Sequence, residues 1–225
     1  MDAAAKSTKT HRQPTRFTAA HHQARQPERK HPPTPLYNAR PMHRPPRELR
    51  LFVAVHPPPD LVVDMFAALD GLTLPAHRRT PPEQVHITMQ FIGNVPQRQL
   101  DETIGTIRDA VDDVPRTSLA ILDWMVVPRS AAARLVAVET DAPPEIVTLK
   151  RRLAERLAHH PRKRERPFRP HFTLCRFNGS PRIEPPAAPL PAATFAVDAL
   201  QLMASTLHPD GARHKVVEIF DLAAR

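Results

Sequence analysis

Two short stretches decide the fold predicted for this chain: "HFTLCRF" at residues 171–177 and "HITMQFIG" at residues 86–93. Each begins with a histidine, has a threonine two positions later and continues with strand-forming apolar residues. The histidines, His86 and His171, are 85 residues apart. A rare pattern that occurs twice at the head of an apolar strand suggests an internal duplication.

The sequence around the two motifs repeats weakly. A "VAV" strand begins at Val53 and again at Val136, and each is followed by a proline-bounded turn, a helical pattern and a His-x-Thr strand. The spacings agree, because Val53 lies 33 residues before the first motif and Val136 lies 35 before the second. The repeat predicts two lobes related by a pseudo-two-fold axis, with a ligand cleft between them.

From Glu48 onward, apolar periodicity predicts alternating strands and helices. Strands are expected at 49–55, 84–93, 118–127, 133–140, 171–177, 194–205 and 214–222. Helices are expected at 61–71, 97–114 and 143–160. Asp60 is the expected N-cap of the first helix. The third helix has its apolar residues on one stripe, namely Ile146, Leu149, Leu153 and Leu157.

Composition limits the class of protein. With 41% hydrophobic residues the 225-residue chain can build a core. Neither a membrane-spanning run nor the apolar region of a secretory signal is found. The single cysteine excludes an intramolecular disulfide and a cysteine-cluster zinc site, and a reducing cytoplasm is the expected location.

The net charge of +9 is concentrated at the N-terminus. Residues 1–47 contain ten Lys/Arg, two acidic residues and eight prolines, with few apolar residues and no sustained period. Such a segment cannot offset the entropy of ordering, so we expect a disordered tail followed by a folded domain at 48–225. The tail either adds salt-sensitive affinity for RNA or is simply solvated.

Residues i and i+2 of a strand point the same way, so His86 and Thr88 share a face, as do His171 and Thr173. Two facing strands of this kind suit in-line displacement at phosphorus. One imidazole would take a proton from the attacking oxygen and the other would give one to the leaving oxygen. The hydroxyls could donate to phosphate oxygens. The alternatives are structural histidines or a zinc site, although neither motif supplies a third ligand.

Other candidates depend on strand parity. Strict alternation places Cys175 on the face of the second motif and turns Arg176 away from it, so Arg176 can bind phosphate only where the strand departs from alternation. Phe52 and Trp124 are candidates for stacking on a base, with core packing as the alternative.

The quoted motifs, with "RLFVAV", "RPFRPHFTLCRF" and "STLHPDGARHKVVEIF", resemble those of the 2H phosphoesterase superfamily. More narrowly, they resemble the RNA 2′,3′-cyclic phosphodiesterases, also called the 2′-5′ RNA ligase family. The resemblance implies an α+β, bilobal and pseudo-symmetric fold. In that fold two antiparallel-rich sheets, flanked by helices, enclose a central cleft that holds both motifs.

The resemblance also implies a function: hydrolysis of a terminal 2′,3′-cyclic phosphate of RNA to a 2′-phosphate, without a metal or cofactor. The implied roles are His86 as proton donor, His171 as proton acceptor, and Thr88, Thr173 and Arg176 as phosphate-binding residues. The expected partner is an RNA or oligonucleotide with a cyclic phosphate end, not a membrane, and the chain is expected to be a monomer. His214 departs from the family, in which an aromatic such as tyrosine is common at its position. Ligation of RNA ends through a 2′-5′ linkage and a non-catalytic RNA-binding module are the alternative functions.

Overall fold

The computed structural model describes residues 47–128, 132–157, 167–209 and 211–224. Apart from Arg47, the predicted basic tail lies outside these ranges, and its disorder stays a prediction. Within the described ranges, the helices are all too short or too polar to cross a membrane.

The first sheet, sheet A, has four antiparallel strands in the order β3-β1-β8-β9. Their bounds are β1 Glu48–Val55, β3 Ile87–Pro96, β8 Ala199–His208 and β9 Gly211–Asp221. The first His-x-Thr motif begins at His86, directly before β3, whose neighbour is β1. The C-terminal hairpin completes this sheet.

The second sheet, sheet B, has five antiparallel strands in the order β2-β6-β5-β4-β7. Their bounds are β2 His77–Arg79, β4 Thr117–Val127, β5 Leu135–Thr140, β6 His171–Phe177 and β7 Thr194–Val197. The second motif occupies β6, whose neighbour is β5. The strand pair β5–β6 therefore corresponds to the pair β1–β3 of sheet A, as the repeat predicts.

In the described part of the chain, three α-helices accompany the sheets: α1 Pro59–Asp70, α2 Leu100–Val111 and α3 Pro144–Leu157. The predicted stripe of α3 is confirmed, since its four apolar residues are all buried. They belong to one large core that also contains the central strand residues of both sheets. The α+β fold with two duplicated lobes, predicted from the sequence, is confirmed.

Several local predictions need correction. The N-cap position of α1 is occupied by Pro58. Asp60 lies in the first turn, where its negative carboxylate interacts favourably with the positive end of the helix dipole. Strand β3 continues past Gly93 to Pro96 because it stays paired with β1 as far as Glu48. The predicted strand 194–205 is two strands, since β7 pairs in sheet B and β8 in sheet A.

Strand β2 was not predicted, because three residues are too short to give a periodic signal. It comes from the first half of the chain but pairs with β6 of the second half. Similarly, β8 comes from the second half and pairs with β1 of the first. Each sheet is thus built from both halves of the chain.

Candidate active site

Each sheet has one face in the large core and another face that carries a small separate cluster. In sheet A this cluster is Phe52, Ala54 and Met203. In sheet B it is Met125, Leu135 and Ala137. We call these two faces the cleft faces. The strands that carry the motifs, β3 and β6, contact each other.

His86 is oriented by two short-range hydrogen bonds. Its Nδ1 lies 2.7 Å from the carbonyl oxygen of Gln84, and its Nε2 lies 3.1 Å from Oγ1 of Thr88. A carbonyl only accepts, so Nδ1 carries a hydrogen, and in the neutral ring Nε2 accepts from the threonine hydroxyl. Nε2 is therefore the nitrogen through which the neutral ring can take up a proton.

His171 is oriented by the same kind of hydrogen bond from Nδ1. Its Nδ1 lies 2.8 Å from the carbonyl oxygen of Arg169, again two residues upstream. The side chain of Arg169 in turn donates to Glu139, with Nε 2.6 Å from Oε1, and the β5–β6 register places Glu139 directly opposite His171. On β2, Nδ1 of His77 lies 2.8 Å from the carbonyl oxygen of Pro75 in the same way. This hydrogen bond alone therefore does not identify a catalytic histidine.

Both motif strands contain a register shift directly after the threonine. In sheet A, Ala54 pairs with Thr88 and Val53 with Gln90, which leaves Met89 as an extra residue. In sheet B, Ala137 pairs with Thr173 and Val136 with Cys175, which leaves Leu174 as an extra residue. Such a bulge inverts the alternation of the residues that follow it, as far as the next bulge, which in β3 lies at Ile92. Met89 and Leu174 are both buried in the large core.

The bulge in β6 corrects two predictions from strict alternation. Cys175 pairs with the core residue Val136 and is fully buried, so it does not line the cleft. Burial raises the pKa of its thiol. Arg176 pairs with Leu135 and therefore shares the cleft face with Thr173.

The equivalent position in sheet A is Phe91, five residues after His86. It pairs with Phe52, a cleft-face residue, and its side chain is 62% exposed. The Phe91 and Phe52 ring centroids are 6.1 Å apart. Sequence reasoning missed Phe91, although its position matches that of Arg176 in the repeat.

Phe52 lies at the centre of a ring cluster. Its centroid is 5.0 Å from that of His86 and 4.8 Å from that of His214. His86 is also 5.2 Å from His214 and 5.8 Å from His56. Phe52 is only 3% exposed, so the exposed aromatic surface beside the cluster belongs to Phe91. Trp124, by contrast, is a core residue whose Nε1 donates to a backbone carbonyl.

His56 and His214 are further groups that the sequence did not identify as parts of the site. Their Nδ1 atoms are buried and have no hydrogen-bond partner among the described residues. Burial lowers the pKa of both rings, and for His56 the nearby His214 lowers it further. Neither histidine belongs to a His-x-Thr pattern, and only the strand order brings them to His86.

The pKa of His86 falls to about 4, chiefly because the ring is buried. The hydrogen bond to Gln84 raises its pKa, while interactions with His214, His56 and Arg176 lower it further. Arg176, on the cleft face of β6, is thus among the charged groups that act on the histidine of the β3 motif.

The described residues contain no cluster of three or more His, Cys, Asp or Glu arranged to hold a metal ion. A cavity of about 720 Å³ lies beside α1 and is lined by residues such as Phe66, Arg79 and His56. Its lining includes neither motif histidine and neither motif threonine, so we do not assign it to the active site.

Known proteins resemble this chain in sequence pattern and in fold. The family model of the 2′-5′ RNA ligase superfamily matches residues 57–208. Among solved structures, TT0787 of Thermus thermophilus is 23% identical, with a TM-score of 0.66 over 77% of this chain and 98% of that one. Escherichia coli LigT in complex with 3′-AMP is 22% identical, with a TM-score of 0.66 over 78% of this chain and 99% of that one.

The likeness to these structures shows a shared fold. No curated protein matches the chain. The family model covers about two thirds of the chain, including both His-x-Thr motifs and Arg176. The protein therefore belongs to the 2′-5′ RNA ligase superfamily, as its paired motifs predicted.

Proposed function

We propose that this protein is an RNA 2′,3′-cyclic phosphodiesterase that opens the terminal cyclic phosphate to a 2′-phosphate without a metal. The observation that carries the proposal is the repeated local geometry of the two motifs. In each motif, the histidine Nδ1 lies within hydrogen-bond distance of a backbone carbonyl oxygen, and the threonine shares the face of the histidine. In each strand, a bulge turns the fifth residue after the histidine to the cleft face. The E. coli LigT structures with 3′-AMP and with phosphate support a nucleotide ligand.

In this reaction water attacks phosphorus and the bond from phosphorus to the 3′-oxygen breaks. His171 takes one proton from the attacking water, and His86 gives one proton to the departing 3′-oxygen. Thr88, Thr173 and Arg176 stabilise the negative charge on the other phosphate oxygens. The products are a 2′-phosphate and a 3′-hydroxyl. Each acid or base step contributes on the order of 10²–10⁴ in rate.

The proton donor must be charged when the bond breaks. With a pKa of about 4, His86 is neutral at pH 7 in the free protein. An anionic phosphate beside the ring favours its protonated form and offsets the effects of Arg176 and of burial. In this proposal, the negative charge of the bound substrate therefore helps to keep His86 protonated.

The decisive experiment uses an oligoribonucleotide that ends in a 2′,3′-cyclic phosphate, with EDTA present. We expect complete conversion to the 2′-phosphate, identified by ³¹P NMR. His86→Ala and His171→Ala should each lower kcat by at least about 10². His77→Ala is the matched control, because His77 makes the same Nδ1 contact outside a His-x-Thr motif, and it should keep full activity. Full activity in either motif variant would refute the mechanism.

A second substrate separates the two histidine roles. A nucleotide ester that releases p-nitrophenolate needs little acid assistance, because this leaving group is stable as an anion. His86→Ala should therefore regain most of the lost rate on this ester, whereas His171→Ala should not. The opposite result would exchange the two roles.

Ligation is the same displacement with the 5′-hydroxyl of a second RNA, in place of water, as the nucleophile. Because water is present at bulk concentration, we expect hydrolysis to dominate. Adding an oligoribonucleotide with a free 5′-hydroxyl to the same assay tests this. A 2′-5′ joined product in excess of the 2′-phosphate would favour ligation as the main activity.

A further inference from the structure

Glu139 lies on the cleft face of sheet B beside the second motif histidine. In the β5–β6 register it is directly opposite His171. Two residues before it, Ala137 is directly opposite Thr173 and belongs to the cleft-face cluster of this sheet. Because residues i and i+2 of a strand share a face, the side chains of Glu139 and His171 project to the same side. The acid and base steps of the proposed reaction do not use this carboxylate.

Glu139 binds the guanidinium of Arg169 with both of its carboxylate oxygens. Nε of Arg169 lies 2.6 Å from Oε1, and Nη2 donates to Oε2. Two parallel hydrogen bonds fix the relative orientation of the side chains more strictly than one does. The carboxylate is the more buried partner, since the Glu139 side chain is 19% exposed and that of Arg169 is 50% exposed. This ion pair joins the end of β5 to the segment directly before β6.

The segment before β6 also has backbone contacts with both strands. The N–H of Thr140 on β5 donates to the carbonyl oxygen of Pro170 over 3.0 Å. Proline fixes its own φ and restricts the residue before it, Arg169, to extended conformations. The carbonyl oxygen of Arg169 then lies 2.8 Å from Nδ1 of His171. Arg169 thus connects Glu139, through its side chain, with His171, through its backbone.

The first motif holds the corresponding carbonyl in another way. The acceptor for His86 belongs to Gln84, the last residue of a short 3₁₀ turn at Pro82–Gln84. The N–H of Gln84 donates to the carbonyl oxygen of Pro81 over 2.8 Å, so the backbone of the turn fixes this acceptor. Residues 167–170 form no such turn. At the second motif, a side chain from the neighbouring strand contacts the residue that supplies the acceptor.

The position of the hydrogen on the ring decides whether His171 can act as a base towards the cleft. A neutral imidazole has one N–H and one nitrogen with a free lone pair. While Nδ1–H donates to the carbonyl of Arg169, Nε2 is the nitrogen that takes up a proton. Without this acceptor the hydrogen could occupy either nitrogen, and the Nε2–H form could not accept a proton at Nε2.

We propose that Glu139 is a positioning residue for His171: it holds Arg169 so that the carbonyl of Arg169 keeps the hydrogen on Nδ1 and leaves Nε2 free for the attacking water. This inference rests on the proposed function, in which His171 is the base. Glu139 acts through Arg169 and touches neither the phosphate nor the water. Because a half-exposed ion pair contributes little to stability, its removal should change the ring and not the fold.

The kinetic test compares Glu139→Ala with wild type on the cyclic-phosphate oligonucleotide. We expect kcat to fall about tenfold with KM unchanged, because a displacement of about 1 Å at a reacting group costs up to about 10² in rate. The loss should be equally large on the nucleotide ester that releases p-nitrophenolate, since the base is needed there as well. Glu155→Ala is the matched control and should keep full activity, because it removes a similar ion pair, with Arg151, from the exposed surface of α3.

Further variants test whether Glu139 acts through Arg169. Arg169→Ala should lose as much kcat as Glu139→Ala, and the two substitutions together should lose no more than either alone, because both remove the same contact. The exchanged pair, Glu139→Arg with Arg169→Glu, should regain part of the lost kcat. Arg169→Lys keeps the charge but not the two parallel hydrogen bonds, so it should not restore full activity.

The ¹⁵N NMR spectrum of histidine-labelled protein reports the tautomer directly. Spectra are recorded at about pH 9, where histidine rings are neutral, and His171→Gln identifies the signals of His171. We expect wild type to carry the hydrogen of His171 on Nδ1. Glu139→Ala and Arg169→Ala should both populate the Nε2–H form, and Glu155→Ala should not. A purely structural role of the ion pair would leave the tautomer unchanged.

Four results would overturn the inference: an unchanged kcat in Glu139→Ala, a raised KM with unchanged kcat, additive losses in the double alanine variant, or an unchanged tautomer. Thermal unfolding checks the fold of each variant. Glu139→Gln keeps the size of the side chain, replaces Glu139→Ala if that variant unfolds, and should show a smaller loss of kcat. If wild type does not hydrolyse the cyclic phosphate, the proposed function fails by itself. The tautomer of His171 then decides the inference, because it does not depend on catalysis.

Discussion

The two halves of the cleft have nearly the same backbone but different side chains. Both histidines donate Nδ1–H to the carbonyl two residues upstream, and both motif strands bulge directly after the threonine. In each half, the fifth residue after the histidine lies on the cleft face. This residue is Phe91 in sheet A and Arg176 in sheet B. The two motifs share this geometry, while the different residues at this position give the cleft an aromatic side and a cationic side.

The neighbours of the two histidines differ in the same way. His86 lies beside the imidazole of His56, and burial, followed by smaller effects of neighbours such as His56, lowers the pKa of His86 to about 4. The equivalent neighbour of His171 is the carboxylate of Glu139, which Arg169 holds in place. The similar backbone of the two motifs thus places the two histidines in unequal surroundings.

The largest expected effects on kcat/KM come from truncating Arg176 and Phe91, the two side chains that differ between the halves of the cleft. Arg176→Ala should lower kcat/KM on a cyclic-phosphate oligonucleotide by on the order of 10², because a charged donor to the transition state is lost. Phe91→Ala should lower it about tenfold, since base stacking is worth about 1–3 kcal/mol. Phe91→Trp should keep most of the activity and Phe91→Leu should not. Equal losses from the alanine variants would contradict the division into two sides.

The low pKa of His86 predicts a loss of stability in acid. The unfolded chain binds a proton to this ring near pH 6.5, whereas the folded chain does so only near pH 4. The free energy of unfolding should therefore decrease as pH falls through this window. From pH 7 to pH 4.5, urea unfolding should show wild type losing about 2–3 kcal/mol more than His86→Gln. Equal losses would mean that the ring is not desolvated.

The neighbours of His86 can also be tested through the pH profile. The pH dependence of kcat/KM reports ionisable groups of the free enzyme, so we expect an inflection near pH 4 from His86. His214→Phe keeps a ring beside Phe52 but removes an imidazole that lowers the pKa of His86. The inflection should move to higher pH, by less than one unit. A shift to lower pH, or no shift, would show that His214 does not influence the proton on His86.

The smallest effect is expected at Cys175, next to Arg176. Because it is fully buried on the core face, Cys175→Ala should change kcat/KM less than twofold, and the wild-type thiol should react slowly with a disulfide reagent. Rapid modification that blocks activity would place the thiol in the cleft. It would also contradict the bulge at Leu174.

The sequence alone predicted the features that depend on local pattern. The paired His-x-Thr strands, the repeat and the buried stripe of α3 follow from residue types and spacing, because a strand or helix imposes a fixed period on its side chains. Family membership followed from the same motifs. The threonines were placed correctly beside their histidines because no bulge lies between them.

Only the tertiary structure decided the features that depend on pairing between distant strands. The bulges at Met89 and Leu174 are properties of register, and they reversed the expected positions of Cys175 and Arg176. The exchange of strands between the halves brings Arg78 beside Arg176, and the C-terminal hairpin brings His214 to the ring cluster around His86. Local periodicity carries no information about which strand becomes the neighbour, because that choice depends on how the whole core packs.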